Sequence, residues 1–189
     1  LREASDGIGI IVGSPTINPL PEGKDLHNSV YMLYNQETLH IQHKTLLPTY
    51  DVFDEYRYFE PAKTHATVVF KGKRIALTVC EDLWNVGNEN PLYTVCPLDK
   101  MMPDHPDFIV NVSASPFDYN HAAERLDVLQ ANVDRYQIPL FYSNICGAQT
   151  ELIFDGGSIV LSPDGSVYDE LPYFKEELRF YQLEDVIKG

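Results

Sequence analysis

The sequence predicts an α/β fold. Short apolar runs rich in β-branched residues recur along the chain, one segment has clean helical periodicity, and strands outnumber helices. The chain opens without Met on Leu1-Arg-Glu-Ala-Ser5, which reads as the tail of a helix already under way. Gly7–Ser14 follows, an apolar run bounded by glycine and expected to be a strand buried on both faces. Val30–Tyr34 and Leu39–His43 flank Asn35–Thr38 at hairpin spacing. Lys44–Lys63 is rich in Pro, Tyr, Asp and Glu, has no period, and reads as a long ordered loop. Ala66–Phe70 and Arg74–Val79 read as strands around Lys71-Gly-Lys73. Val86–Pro106 is turn-like, with a short helix around Leu92–Met102, and Phe108–Asn111 is the next strand. Asn120–Tyr136 is the best helix, because Ala122, Leu126, Leu129, Val133 and Tyr136 fall on one apolar stripe. Leu140–Asn144, Ile153–Phe154, Ser158–Leu161 and Val167–Leu171 read as short strands, and Leu178–Leu183 as a last one.

Composition narrows the function. The 189 residues make one medium domain or most of a larger one. Twenty-eight Asp and Glu against 14 Lys and Arg give a net charge of −14. So acidic a chain repels phosphate backbones and anionic lipid, which argues against nucleic-acid and membrane-surface partners. No apolar run approaches the ~20 residues that span a bilayer, and no basic-then-apolar leader opens the chain. Cys80, Cys96 and Cys146 are too few and too scattered for a disulfide framework, so a reducing, cytoplasmic setting is expected. No metal site is expected. His40 and His43 would face opposite sides of a strand, and Cys-x-x-Cys spacing is absent. There is no Gly-Lys-Ser/Thr phosphate loop, and Gly7-Ile-Gly9 lacks a third glycine and a following helix.

Two segments carry chemistry. In Ile75-Ala-Leu-Thr-Val-Cys80-Glu-Asp-Leu-Trp84 an apolar strand delivers a cysteine and turns acidic at once. Free cysteine is often a small buried hydrophobe. A cysteine at the carboxyl end of a strand is also where an open α/β sheet would hold a nucleophile. A thiolate needs a base or a nearby cation, and the spacing of His27, His40, His43, His65, His105 and His121 does not choose among them. The second segment is Lys44-Thr-Leu-Leu-Pro-Thr-Tyr50-Asp-Val-Phe-Asp-Glu55-Tyr-Arg-Tyr-Phe59. It is either a solvated loop or the wall of a pocket in which a cation stabilises an oxyanion.

Read together, these segments resemble the carbon–nitrogen hydrolase (nitrilase) superfamily, which uses a Glu–Lys–Cys triad. Lys44 and Val-Cys80-Glu-Asp match its Lys and Cys in order, 80 − 44 = 36 residues apart. The match is closer to one branch, the glutaminase domain of glutamine-dependent NAD synthetases. Asn111-Val-Ser-Ala-Ser-Pro116 and Ala148-Gln-Thr-Glu-Leu-Ile-Phe-Asp-Gly-Gly-Ser158 extend it, so that the resemblance runs from about Ile8 to Val167.

The resemblance implies a four-layer α-β-β-α sandwich, here missing its first strand and helix. It implies hydrolysis of the glutamine side-chain amide through a Cys80 thioester, with Lys44 and Glu55 as partners. Tyr50, Glu81, Ser113, Ser115 and His121 are the implied substrate-binding residues, with L-glutamine as substrate. No cofactor is implied for this step; ATP and Mg belong to a synthetase domain that takes up the ammonia and is not within residues 1–189. A homo-oligomer is also implied. The alternatives are a stand-alone amidase for another small amide, or a non-catalytic interaction domain with the same fold.

Two departures from the family pattern stand out. The family's base glutamate lies upstream of the lysine, at the end of a strand. Glu3, Glu22 and Glu37 are the only glutamates before Lys44 and none has that context, so its expected position falls before residue 1. A basic residue is usual soon after Ser-Pro, where this chain has Asn120-His121.

Overall fold

The computed structural model describes all 189 residues. Strands β1 (Ile10–Ile17), β2 (Leu26–Tyr34) and β3 (Glu37–His43) form an antiparallel sheet in the order β1-β2-β3. The β2–β3 hairpin turns on Asn35 and Gln36, with φ of 48° and 65°. Two successive left-handed residues are what a two-residue turn matched to strand twist requires. A long segment then leads to β4 (Val68–Phe70) and β5 (Lys73–Val79), the short helix α1 (Pro97–Met101) and β6 (Phe108–Ser113). After these come helix α2 (His121–Tyr136), β7 (Leu140–Asn144), the ribbon β8 (Cys146–Gln149) and β9 (Leu152–Asp155), then β10 (Ile159–Leu161) and β11 (Val167–Glu170). Helix α3 (Leu183–Lys188) is last. The larger sheet runs β11-β10-β7-β6-β5-β4, and its central β5, β6 and β7 are parallel.

Each face of the larger sheet has its own core. On one side Ala76, Ile109, Leu140 and Ile159 pack under Leu98 and Met101 of α1 and Leu129 and Val133 of α2. On the other, Ile75, Leu77 and Val79 meet Val30 and Met32 of the smaller sheet. The layers are thus helix, sheet, sheet, three of the four in the expected sandwich. No helix is long and apolar enough to cross a membrane.

Three local expectations change. β1 is not buried on both faces: it is an edge strand with Gly13, Ser14, Pro15 and Ile17 exposed. Pro15 has no N–H to give a second neighbour, which confines it to an edge. Leu178–Leu183 forms no strand. Leu178 and Phe180 stand exposed without a pairing partner, Tyr181 packs on Phe141 and Tyr168, and α3 begins at Leu183. The ribbon strand β8 is an addition, since Cys146–Gln149 has no apolar alternation to announce it.

The predicted stripe of α2 holds Leu129 and Val133 in the core, but Arg125 and Asn132 are equally buried. The Arg125 guanidinium donates to both carboxylate oxygens of Asp155, at 3.3 and 2.7 Å, with both side chains 1% exposed. Asn144 Nδ2 donates to the same carboxylate at 3.1 Å. Gly156 and Gly157 then turn the chain in left-handed conformations, and a Cβ on Gly157 would strike the Tyr173 ring. The Asp155-Gly-Gly-Ser158 motif is therefore built for packing beneath the ends of the parallel strands.

On the smaller sheet, His27 and His43 stack with ring centroids 4.0 Å apart. His43 Nδ1 lies 2.7 Å from Ser29 Oγ. Burial, with the neighbouring His27 and His40 charges, lowers the His43 pKa to about 4.

Two predictions follow from this packing. Asp155→Asn leaves the Arg125 charge buried without a counter-ion and should lower unfolding free energy by roughly 3–5 kcal/mol in urea titrations. A loss below about 1 kcal/mol would show the pair to be dispensable. Because the folded-state pKa of His43 is depressed, its contribution is complete above its ordinary value of 6.5 and is lost as pH falls toward 4. The Tm difference between the protein and His43→Gln should therefore be largest near neutral pH and shrink over that window. A difference independent of pH would contradict a neutral, buried His43.

Candidate active site

The site lies beyond the carboxyl ends of β5, β6 and β7, where open parallel sheets place their ligands. β5 runs straight into Cys80, whose φ is 45°. A left-handed conformation at a residue with a Cβ costs of order 1–3 kcal/mol and needs its surroundings to hold it. Those surroundings are visible. Asn111 of β6 donates from Nδ2 to Thr78 Oγ1 at 2.9 Å and to the Cys80 carbonyl at 3.3 Å. Ser113 Oγ in turn donates to Asn111 Oδ1 at 2.7 Å. Asn132 of α2 donates to the Leu83 carbonyl, capping the turn from the helix side.

Asp82 ties this turn to the lysine segment. Its Oδ1 accepts the N–H groups of Thr45 and Leu46, both at 2.9 Å, and its Oδ2 accepts that of Val79 at 3.1 Å. Burial pushes the Asp82 carboxyl up to about 6, against the pull of those N–H groups and of Lys44. The carboxylate fixes the backbone just after Lys44 against the backbone just before Cys80.

Lys44, Glu55, Cys80 and Ser113 line one cavity of about 1040 Å³, with Asn28, Gly13 and Asn144. Lys44 Nζ donates to Glu55 Oε1 at 2.6 Å, and its side chain is wholly buried. Asn28 Nδ2 approaches Glu55 Oε2 at 3.4 Å. Burial works against the Lys44 ammonium, but the Cys80 and Glu55 charges outweigh it and hold its pKa above the ordinary value. Burial likewise pushes the Cys80 thiol up, with Lys44 opposing. Lys44 is therefore an ammonium at the cavity wall. Lys44 can stabilise a nearby negative charge but has no free lone pair with which to take a proton. Glu55 is the one carboxylate on the cavity wall.

The other predicted residues gather in two groups that do not line this cavity. Tyr50 donates to Glu81 Oε1 at 2.8 Å, and Tyr93 donates to the same oxygen at 2.6 Å. Glu81 is 3% exposed, so the two hydroxyls are what keep its carboxylate satisfied away from water. Ser115 Oγ lies 2.9 Å from His121 Nε2, and the His121 ring stacks on Trp84 at 5.3 Å. Burial, then the Arg125 charge, holds His121 below its ordinary pKa. Sequence reasoning missed Asn28, Tyr93, Asn111, Asn132 and Asn144. Asn111 stands inside the Asn111–Pro116 motif without being marked as its working residue; strand register sets Asn111 and Asn144 at one end of the larger sheet, while the smaller sheet carries Asn28, α2 carries Asn132 and a turn carries Tyr93. No group of histidine, cysteine and carboxylate side chains could hold a metal ion.

A scan against models of protein families finds no match. Among curated proteins, the glutamine-dependent NAD(+) synthetase of Synechocystis is 36% identical over 178 residues, 90% of this chain and 32% of that protein. Its counterpart from Thermotoga maritima is 32% identical over 91% of this chain and 28% of that protein. The chain thus spans about a third of the length of these relatives. Among solved structures, the NAD+ synthetase of Acinetobacter baumannii, complexed with ADP, superposes with a TM-score of 0.78. It is 26% identical and covers 90% of this chain and 30% of that one. A carbon–nitrogen hydrolase from Helicobacter pylori shares the fold, with a TM-score of 0.74 at 19% identity, over 90% of this chain and 59% of that one. In sequence the chain is thus homologous to part of the glutamine-dependent NAD(+) synthetases, and in fold it is similar to carbon–nitrogen hydrolases.

Proposed function

We propose that residues 1–189 form a glutaminase domain of the kind that serves NAD synthesis, and that Cys80 is its nucleophile. The observation that carries this reading is a half-buried cysteine at φ 45°, set at a strand end in one cavity with a buried lysine ammonium. In this reading Sγ attacks the side-chain amide carbon of glutamine, and the thiol proton passes on to the amide nitrogen. The oxyanion then accepts hydrogen bonds from Lys44 Nζ and from the Glu81 backbone N–H. One such donor is commonly worth ~3 kcal/mol in the transition state. The amide nitrogen takes a proton and leaves as ammonia, and a thioester remains. Water cleaves it to glutamate and restores the thiol, so one hard step becomes two easier ones. Glu55 keeps Lys44 charged and in place. Glu81, next in sequence to Cys80 and held by Tyr50 and Tyr93, offers the substrate ammonium its charge without lining the cavity, and the Ser115–His121 pair also lies off the cavity wall. The homologues' name supports delivery of the ammonia to a synthetase domain that makes NAD; that this domain uses ATP and Mg to amidate deamido-NAD, and that the protein is a homo-oligomer, belong to the same proposal.

A second reading, an interaction domain without catalysis, is favoured by one observation. Glu55 is the sole carboxylate on the cavity wall, and it is already engaged by Lys44.

One labelling experiment separates the two. A glutamine-shaped diazo-ketone should place a single adduct on Cys80, read by intact mass and peptide mapping, and glutamine should block it. Modification by iodoacetamide but not by the analogue would leave Cys80 accessible without a glutamine site, and would sink the glutaminase reading. Removing the Tyr93 hydroxyl tests the orientation of Glu81. Tyr93→Phe should raise the KM for glutamine about tenfold, the scale of one hydrogen bond to a charged group, and leave kcat within about twofold. A fall in kcat with unchanged KM would place Tyr93 in the chemical step instead.

A further inference from the structure

A second cavity, of about 850 Å³, lies between the Lys44–Lys63 loop and the segment leading into α1. It is of ligand size. Its character is unlike the rest of the chain. Twenty-eight of 189 residues are acidic, yet none of the 15 residues lining this cavity is. Lys63, Lys100 and His65 line it instead, with Tyr50, Tyr56 and Tyr93. Lys100 has no carboxylate partner. Lys63 reaches Glu60 only at 3.5 Å, and Glu60 turns its other oxygen to the Lys24 N–H. His65 Nε2 pairs with Thr45 Oγ1 at 2.9 Å. Burial lowers the His65 pKa, and the Lys100 charge lowers it further, in a protein of net charge −14. Tyr50 and Tyr93 commit their hydroxyls to Glu81, so what they offer this cavity is ring surface.

We propose that this cavity binds a small ring-bearing organic anion, its phosphate or carboxylate held by Lys63, Lys100 and His65 and its ring set against the tyrosines. Complementary charge supplies the attraction that the rest of the surface denies an anion, and aromatic faces supply stacking area. The inference is independent of the glutaminase reading, because it needs neither Cys80 nor Lys44. A ligand here would nonetheless touch the two tyrosines that orient Glu81.

The test is a titration of the protein with four probes: AMP, benzoate, adenosine and inorganic phosphate. Calorimetry gives affinity, and histidine side-chain NMR gives the response of His65, assigned with His65→Gln. AMP or benzoate should bind and raise the His65 pKa toward its ordinary value, because the anion offsets Lys100. Adenosine and inorganic phosphate should each bind at least about tenfold more weakly, and the double variant Lys63→Glu/Lys100→Glu should lose about tenfold or more. Both lysines are exposed, so an unchanged NMR spectrum elsewhere will certify the fold of that variant. AMP binding alone assigns a phosphate ligand, and benzoate binding alone a carboxylate. No response of His65 to either anion up to about 10 mM overturns the proposal. Equal binding of adenosine removes the anion site, equal binding of phosphate removes the ring site, and unchanged affinity in the charge-reversed variant removes the lysines. Glutamine hydrolysis enters none of these readouts, so a failure here leaves the glutaminase reading standing, and the converse holds.

Discussion

One carboxylate organises the centre of this molecule. Asp82 collects three backbone N–H groups from two segments, those after Lys44 and before Cys80. A buried carboxylate that accepts several N–H bonds can stand the loss of water; one that accepts none cannot. Without Asp82, the loop that carries Lys44, Tyr50 and Glu55 would be tied to the larger sheet by side chains alone. With it, lysine and cysteine are set by backbone geometry, which varies far less than rotamers do.

The same principle recurs one strand along. Asn144, at the carboxyl end of β7, is bonded to Ser115, Asp155 and Gly156 at once. Arg125 closes that group from α2. The end of the parallel sheet is therefore a polar layer in which Asn144 and Asp155 each hold several partners. Such layers specify one arrangement because any slip leaves a buried group unpaired. The two cavities use this layer differently. One opens on a lysine already neutralised by Glu55, while the other keeps Lys100 without a carboxylate partner.

The elements that bury apolar side chains were legible in the sequence. Arg74–Val79, Phe108–Asn111 and the α2 stripe declare themselves by periodicity, and the Cys80-Glu-Asp turn by its abrupt polarity. Lys44 and Glu55 could be named as partners through family resemblance, and they stand 2.6 Å apart. The edge position of β1 was legible too, in Pro15, but the apolar run masked it. What could not be read is register. Asn111 and Asn144 are set at one end of the larger sheet only by strand pairing, and Asn28 meets Asn144 on one cavity wall only because the two sheets face each other. Tyr93 belongs to a turn-rich stretch with no pattern, and only the folded loop brings it to Glu81. Leu178–Leu183 failed in the opposite way: alternation makes an extended segment, but a strand needs a neighbour.

The span of these contacts has a kinetic meaning. Asp82 reaches Thr45 across 37 residues, Asn132 reaches Leu83 across 49, and Tyr50 reaches Glu81 across 31. None can form from local helix or hairpin structure, because the loop between its ends must close first. The hairpin β2–β3 can form early; the cleft must wait for the parallel strands to align, the slow class of events in folding. A chain halted on the ribosome before α2 emerges would therefore hold its nucleophile and lysine in unrelated places, and would expose a thiol with no cavity around it.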